Sequence, residues 1–337
     1  MSSDGESALY AAAAGGGPRE RAQIARRVRA ALGPEPLDDG GHFLAPFSLP
    51  PVPAPPPLGP QPATQFVVDL LGANAVTGER VAALLTAKAR TDLGFPKVWG
   101  RTPGGDEWTR FADALPDDLF GTLALCWDLT GPGLLSDGSE LARDLGARFA
   151  RAARLATDLG RTADPRESPE AGAARAARLA DLRERFGRSV EMRLVPASRP
   201  FPARQVWRAA HSLGLRWGEQ DLFHWYDATG RTRLFTLSGL GAPGYLLPEH
   251  AAEGGSVAGL GLSFDLPASP TPVAVFDRMA LALAFLRQKL GGRPVTNWGA
   301  DLDADRLEAE RDSLEEVVAE MARANIAPGS PEAARLF

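Results

Sequence analysis

The chain has 337 residues, 44% of them hydrophobic and 23% charged, which suits two modest globular cores and excludes a wholly unstructured protein. A formal net charge of -5, with Lys88, Lys97 and Lys289 as the only lysines, argues against a polyanion as the main partner, because phosphate binding needs a concentrated excess of basic side chains. The lone Cys126 excludes an intramolecular disulfide, and the start Met1-Ser2-Ser3-Asp4-Gly5-Glu6 has neither the basic segment nor the apolar run of a secretion signal, so a cytoplasmic protein is expected.

Residues 1–63 are rich in Pro, Ala and Gly and end in Pro50-Pro51-Val52-Pro53-Ala54-Pro55-Pro56-Pro57, a composition that predicts a disordered arm with an extended, semi-rigid end. Within it, Ile24, Val28 and Leu32 recur at helical spacing beside Arg19, Arg26, Arg27 and Arg29. They predict a short basic amphipathic helix over Arg19–Leu32, which serves a membrane surface or a partner protein, or is simply a solitary marginal helix. His42-Phe43-Leu44-Ala45-Pro46-Phe47 reads either as a docking motif or as a segment that packs on a folded domain.

From Thr64 onward the order of elements repeats. A β-run at Phe66–Leu71 precedes a helix over Thr77–Leu93, and one at Val190–Val195 precedes a helix over Pro202–Leu213. Each helix stops at Leu-Gly. Hairpin patterns follow at Lys97–Phe111 and Asp221–Leu237, then strands at Leu123–Leu129 and Leu260–Leu266. Long amphipathic helices come next, Ser139–Leu159 and Pro272–Leu290, with further charged helices at the ends, the last over Asp305–Asn325. The predicted fold class is α+β: two tandem two-layer domains, 64–187 and 188–326, each an antiparallel sheet with helices on one face, followed by a flexible tail over 327–337. Such a domain leaves one sheet face open for a partner.

No sequence pattern for catalysis stands out. The phosphate-loop pattern G-x-x-x-x-G-K-[ST] and the nucleophile elbow G-x-S-x-G are both absent. His42, His211, His224 and His250 are scattered without metal-ligand spacing, and no cofactor is expected. Asp301-Leu302-Asp303-Ala304-Asp305 starts like a calcium loop, but Arg306 stands where the turn needs glycine, so an acidic helix start is the better reading. Gly239-Leu240-Gly241-Ala242-Pro243-Gly244 follows a strand without opening a long helix, which favours a loop of tight turns over a dinucleotide site.

The second half carries a more specific pattern. Arg216-Trp217-Gly218-Glu219-Gln220-Asp221-Leu222-Phe223-His224 is followed by Gly230, Leu234-Phe235-Thr236-Leu237 and Pro243-Gly244. Gly259-Leu260-Gly261-Leu262-Ser263-Phe264-Asp265-Leu266-Pro267 and Leu290-Gly291-Gly292 continue it. This order resembles the C-terminal domain of the bacterial cell-division protein ZipA across essentially all of the second domain, while the first domain keeps only the skeleton, as a divergent copy would. The resemblance implies a division accessory protein recruited to the division site, whose open sheet face binds the C-terminal tail of FtsZ. The binding residues it implies are Gln220, Leu222, Ser238, Leu240 and Ser263, with Glu191, Arg193 and Val195 as outward residues of the first strand; strand alternation adds His224, on one sheet face with Leu222, and Leu234 is expected among the contacts.

Strand alternation buries Val190, Met192 and Leu194 and turns Glu191, Arg193 and Val195 outward. It buries Leu262 and Phe264 and leaves Ser263 and Asp265 exposed, so the face is more polar than the family's apolar groove. ZipA-like proteins also carry an N-terminal membrane anchor, and the arm here has no such run. Two other readings are an interaction adaptor with a different peptide partner and an RNA-binding module that stacks bases on Phe223 and Trp225.

Overall fold

The computed structural model describes residues 18–35, 37, 43–50, 58–131 and 138–337, so most of the proline tract, at 51–57, lies outside the described residues. The chain divides into two compact units. Of the described residues, those over 58–185, with 335–337, form the first domain, and those over 186–334, with those up to residue 50, form the second.

The helical period at Ile24, Val28 and Leu32 produces α1 (Pro18–Leu32), which Gly33 ends with a left-handed φ of 76°. In the first domain, β1 (Gln65–Thr77) leads to two short helices where the sequence suggests one, α2 (Gly78–Leu84) and α3 (Ala87–Asp92). The reason is local: the Thr77 hydroxyl caps the first by accepting from Arg80 N, and the Thr86 hydroxyl opens the second by accepting from Ala89 N. Strands β2 (Lys97–Arg101), β3 (Trp108–Arg110) and β4 (Leu119–Asp128) follow, then α4 (Gly138–Asp158), β5 (Thr162–Pro165) and α5 (Pro169–Phe186). The sheet runs β3-β2-β4-β1-β5, entirely antiparallel. Phe66, Val68, Leu70, Leu123, Leu125 and Trp127 fill its helix-facing side.

A buried arginine holds the centre of this domain. The pairing of β1 with β4 shifts register between Leu71 and Val76, which leaves carbonyls without ladder partners. Arg161 supplies the donors: Nη1 reaches Leu70 O (3.0 Å) and Gly121 O (2.9 Å), and Nη2 reaches Asn74 O (3.0 Å) and Phe120 O (2.6 Å).

The second domain contains β6 (Ser189–Val195), β7 (Phe201–Pro202), α6 (Ala203–Ser212), β8 (Arg216–Trp217), β9 (Phe223–Tyr226) and β10 (Arg233–Gly239). After these come α7 (Pro248–Ala252), β11 (Ser256–Val257), β12 (Leu260–Asp265), α8 (Pro272–Leu290), β13 (Arg293–Thr296) and α9 (Ala304–Arg323). The main sheet runs β13-β6-β12-β10-β9-β8. Opposed residues share a face, so Met192, Leu262, Leu237 and Phe223 form one row and Leu194 with Leu260 part of the next. α8 packs across β6, β10 and β13, while Trp207 of α6 meets Phe223 edge-on at 4.8 Å. All helices against the sheet therefore lie on one side, and the fold is α+β.

The strands β5-β1-β4 correspond in order to β13-β6-β12, but the hairpins differ. In the first domain the leading hairpin strand, β2, pairs with the central strand; in the second the trailing one, β10, does so. Strands β5 and β13 are absent from the periodicity because each has four residues, one of them a proline, a composition suited to a sheet edge.

The arm's helix is packed rather than free. Val28, Ala31 and Leu32 are buried against α6 and α7, and Arg27 pairs with Glu249 while its guanidinium lies 5.2 Å from the Trp217 ring. Arg208 Nη1 donates to Leu32 O and Glu35 O at the helix end. The apolar stripe that a membrane surface would take is thus already occupied by the second domain. Phe43 and Phe47 seat the following segment on the same domain, against Phe285 (4.6 Å) and Trp225 (6.0 Å). No described helix is long and apolar enough to cross a membrane.

Candidate functional site

The sheet face of the second domain opposite α6 and α8 carries the residues singled out above. Register arranges them in two rows across the strands. One row is Glu191, Ser263, Thr236, His224 and Arg216; the other is Arg193, Gly261 and Ser238. Val195 stands at the end of β6 opposite Arg293 of the edge strand, and Leu240 follows β10, its backbone N–H bonded to Gly259 O.

The floor of the second row is a glycine, and three side chains converge on it. A Cβ on Gly261 would lie 3.3 Å from Ser238 Oγ, 3.4 Å from Leu240 Cδ2 and 3.5 Å from Glu191 Oε1. The Leu240 side chain also covers Gly259, where a Cβ would meet its Cδ1 at 2.8 Å. The two side-chain-free positions let the Leu240 side chain lie close against the strand, beside Ser238 and Glu191. Glycines inside the alternating run Gly259-Leu260-Gly261-Leu262 were the available sequence signal for such a close approach, but the pattern alone does not say what approaches.

The polar wall is internally matched. Arg193 Nε donates to Glu191 Oε1 at 2.6 Å, which raises the arginine pKa and leaves the pair without net charge. Ser238 and Ser263 are half-buried beside it.

His224 and Leu234 occupy this side of the sheet but are not contact residues. His224 is 0% exposed, with Nε2 bonded to Glu219 O (3.0 Å) and Nδ1 to Thr236 Oγ1 (3.1 Å). A carbonyl can only accept, so Nε2 carries the proton and Nδ1 accepts from the threonine hydroxyl. Leu234, 3% exposed, is likewise covered, at the register shift between Arg233 and Phe235 where the strand bends. Both residues are corrected from ligand contacts to supports. Strand alternation gave the side of the sheet; it could not show that the 219–221 turn closes over the histidine.

That turn forms one rim. Gln220 (φ 58°) and Asp221 (φ 56°) are both left-handed, an uncommon conformation for side-chain-bearing residues. They are held by the His224 bond to Glu219 and by Leu246 N donating to Asp221 O at 2.8 Å. Gln220 is exposed and Leu222 half-buried at this edge. The glycine-rich loop folds back as a tight turn, with Gly239 N bonded to Gly244 O at 2.8 Å, and brings the half-exposed Tyr245 to the same rim.

Phe223 and Trp225 point the other way. They are 1% and 4% exposed within the helix-packed core, so neither is available to stack a base. A cleft of about 220 Å³, which shares Glu191 with the open face, lies where β6 and β13 meet α8 and α9, and its ionisable lining is Arg188, Glu191 and Glu310, without histidine or cysteine. Among the described residues no group of three or more His, Cys, Asp or Glu side chains is arranged to hold a metal. In the aspartate run, Asp303 caps α9 by accepting from Arg306 N at 2.9 Å.

Residues 189–313 match the family model described as ZipA, C-terminal FtsZ-binding domain. The match begins with β6 and ends inside α9, so it takes in the whole open face and the helices behind it, but neither the first domain nor α1. The second domain is therefore similar to a protein-binding domain of bacterial cell division. No curated protein matches the chain.

Proposed function

We propose that this protein is a cell-division accessory factor whose second domain binds the C-terminal tail of FtsZ on its open sheet face. The observation that carries this reading is the coincidence of the family match with a face that the domain's own helices leave uncovered. On it, Glu191, Arg193, Val195, Ser238, Leu240 and Ser263 surround Gly261, and Gln220 and Leu222 flank it. An apolar tail residue seats against Leu240 over Gly261, while serine hydroxyls and the Glu191–Arg193 pair satisfy the polar groups of the peptide. Satisfaction matters, because a buried polar group left without a partner costs about 1–3 kcal/mol. The polar character of the face points to a transient, modest-affinity contact.

The test is a calorimetric or fluorescence titration of the full chain with the cognate FtsZ tail peptide. Binding is expected with a dissociation constant of about 100 µM or tighter. Leu240→Asp is expected to weaken it at least about tenfold, a loss of about 1.4 kcal/mol, without lowering the unfolding midpoint. Absence of binding at that limit refutes the reading.

A further inference from the structure

Strand β6 is paired along only part of its outer edge. Leu266 N donates to Arg188 O at 3.2 Å and the register continues from that pair, so the N–H and C=O groups of Val190, Met192 and Leu194 point to β12. Those of Ser189, Glu191, Arg193 and Val195 therefore point the other way, toward β13. Strand β13 sets Arg293 opposite Val195 and Val295 opposite Arg193, and its last paired residue, Thr296, stands opposite Met192. There the chain turns back: Thr296 N donates to Ala300 O at 2.8 Å, Leu302 N donates to Pro294 O at 3.0 Å, and Gly299 takes a left-handed φ of 89°. Among the described residues nothing succeeds β13 along this edge, so the outward main-chain groups of Ser189 and Glu191 have no strand partner.

These two residues line the cleft of about 220 Å³ between β6, β13, α8 and α9. Their side chains are engaged elsewhere, Ser189 with Asp265 and Glu191 with Arg193, so what they offer the cleft is backbone. The apolar lining is Met192, Phe276, Leu302 and Leu314, all buried, together with Trp298, which is 66% exposed. The charges balance: Arg188 offsets Glu310, and Glu191 is matched by Arg193, so a strongly charged ligand meets no excess of opposite charge. The volume suits one bulky side chain, since a dry cavity of about 150 Å³ already holds a benzene ring. An unpaired strand edge beside a pocket for one side chain is the arrangement that takes an extended peptide by strand addition. Main-chain bonds then supply affinity, and the pocket selects the residue.

We propose that the β6 edge over 189–191 binds an extended segment of a partner protein as an added strand, with one aromatic or branched aliphatic side chain of that segment inserted in the cleft beside Trp298. The site is separate from the open face and does not depend on what that face binds.

The probe is a fluorescein-labelled, end-capped pentapeptide with phenylalanine at its centre and valine and threonine around it, titrated into the full chain by fluorescence polarisation. Saturation is expected below about 1 mM, and glycine in place of the phenylalanine is expected to weaken binding at least about tenfold. Of two versions N-methylated on alternate amides, one is expected to bind at least about tenfold more weakly than the other, because only one edge of the peptide pairs with β6. Exchange of the Glu191 amide, faster than that of Arg193 in the free chain, is expected to slow on saturation. Ser313→Trp, at an exposed position of the cleft wall, is expected to block the probe while leaving the FtsZ-tail titration unchanged. No saturation at that limit overturns the proposal, as does equal binding of the two N-methylated peptides. Loss of tail binding in Ser313→Trp would make the cleft and the open face one site, and self-association of the free chain that Ser313→Trp abolishes would make the occupant a second copy; either result overturns it. If Ser313→Trp lowers the unfolding midpoint, the N-methylated pair decides, since it leaves the protein unaltered.

Discussion

His224 is the residue whose chemistry most directly couples the candidate face to solution conditions. Burial lowers its pKa below the ordinary value of 6.5, the charge of Arg233 acts in the same direction, and the bond to Glu219 O opposes both. The folded state therefore resists a proton that the unfolded chain accepts. The stabilisation is fully present above pH 6.5 and is lost as pH falls below it, with a limiting slope of about 1.4 kcal/mol per pH unit. Denaturant unfolding of the wild type between pH 7.5 and 5 should show a steeper loss than His224→Gln, and identical slopes would remove the histidine from the account. Leu240 and Gly261 act differently, by shape: a Cβ at position 261 crowds Ser238, Leu240 and Glu191, so Gly261→Ala is expected to weaken tail binding severalfold while leaving the pH profile unchanged, a result read by the peptide titration.

Two elements show how locally placed groups sustain each domain. In the first, four carbonyls of the bulged β1–β4 pair depend on one guanidinium, so Arg161→Met should destabilise the domain by about 3 kcal/mol or more, measured by chemical unfolding. In the second, α1 is part of the fold although it lies outside the family match, and Val28→Asp should lower stability by about 3 kcal/mol. An unchanged midpoint would mean that the helix is not seated. The helical stripe of α1 was plain in the sequence, at Ile24, Val28 and Leu32. Its docking was not, because α6 and α7 come some 170 residues or more later and short-range periodicity cannot see across that distance. The same limit hid the exchange of hairpin strands between the domains. Each hairpin reads alike along the chain, and only the ladder of β4 with β2, or of β12 with β10, tells which arm is central. Alternation along β6 and β12 did place Glu191, Arg193 and Ser263 on the side opposite the core, since a period of two fixes the side once the buried set is known.

At the scale of the whole molecule, each domain joins a sheet with helices on one side to a short segment from the arm. Helix α1 and the Phe43–Phe47 stretch belong to the second domain, and Gly59 belongs to the first. The second domain uses these contacts behind its sheet, where α6, α7 and α8 already lie, and no described helix covers its other face. The central claim is that this uncovered face receives an FtsZ tail. It is tested most directly by amide chemical-shift mapping of the ¹⁵N-labelled full chain as the cognate FtsZ tail peptide is added. The account predicts saturable shifts confined to β6, β10, β12 and the 219–222 and 240–245 rims, abolished by Leu240→Asp. Shifts centred on the α8–α9 cleft, or no shifts at millimolar peptide, would contradict it.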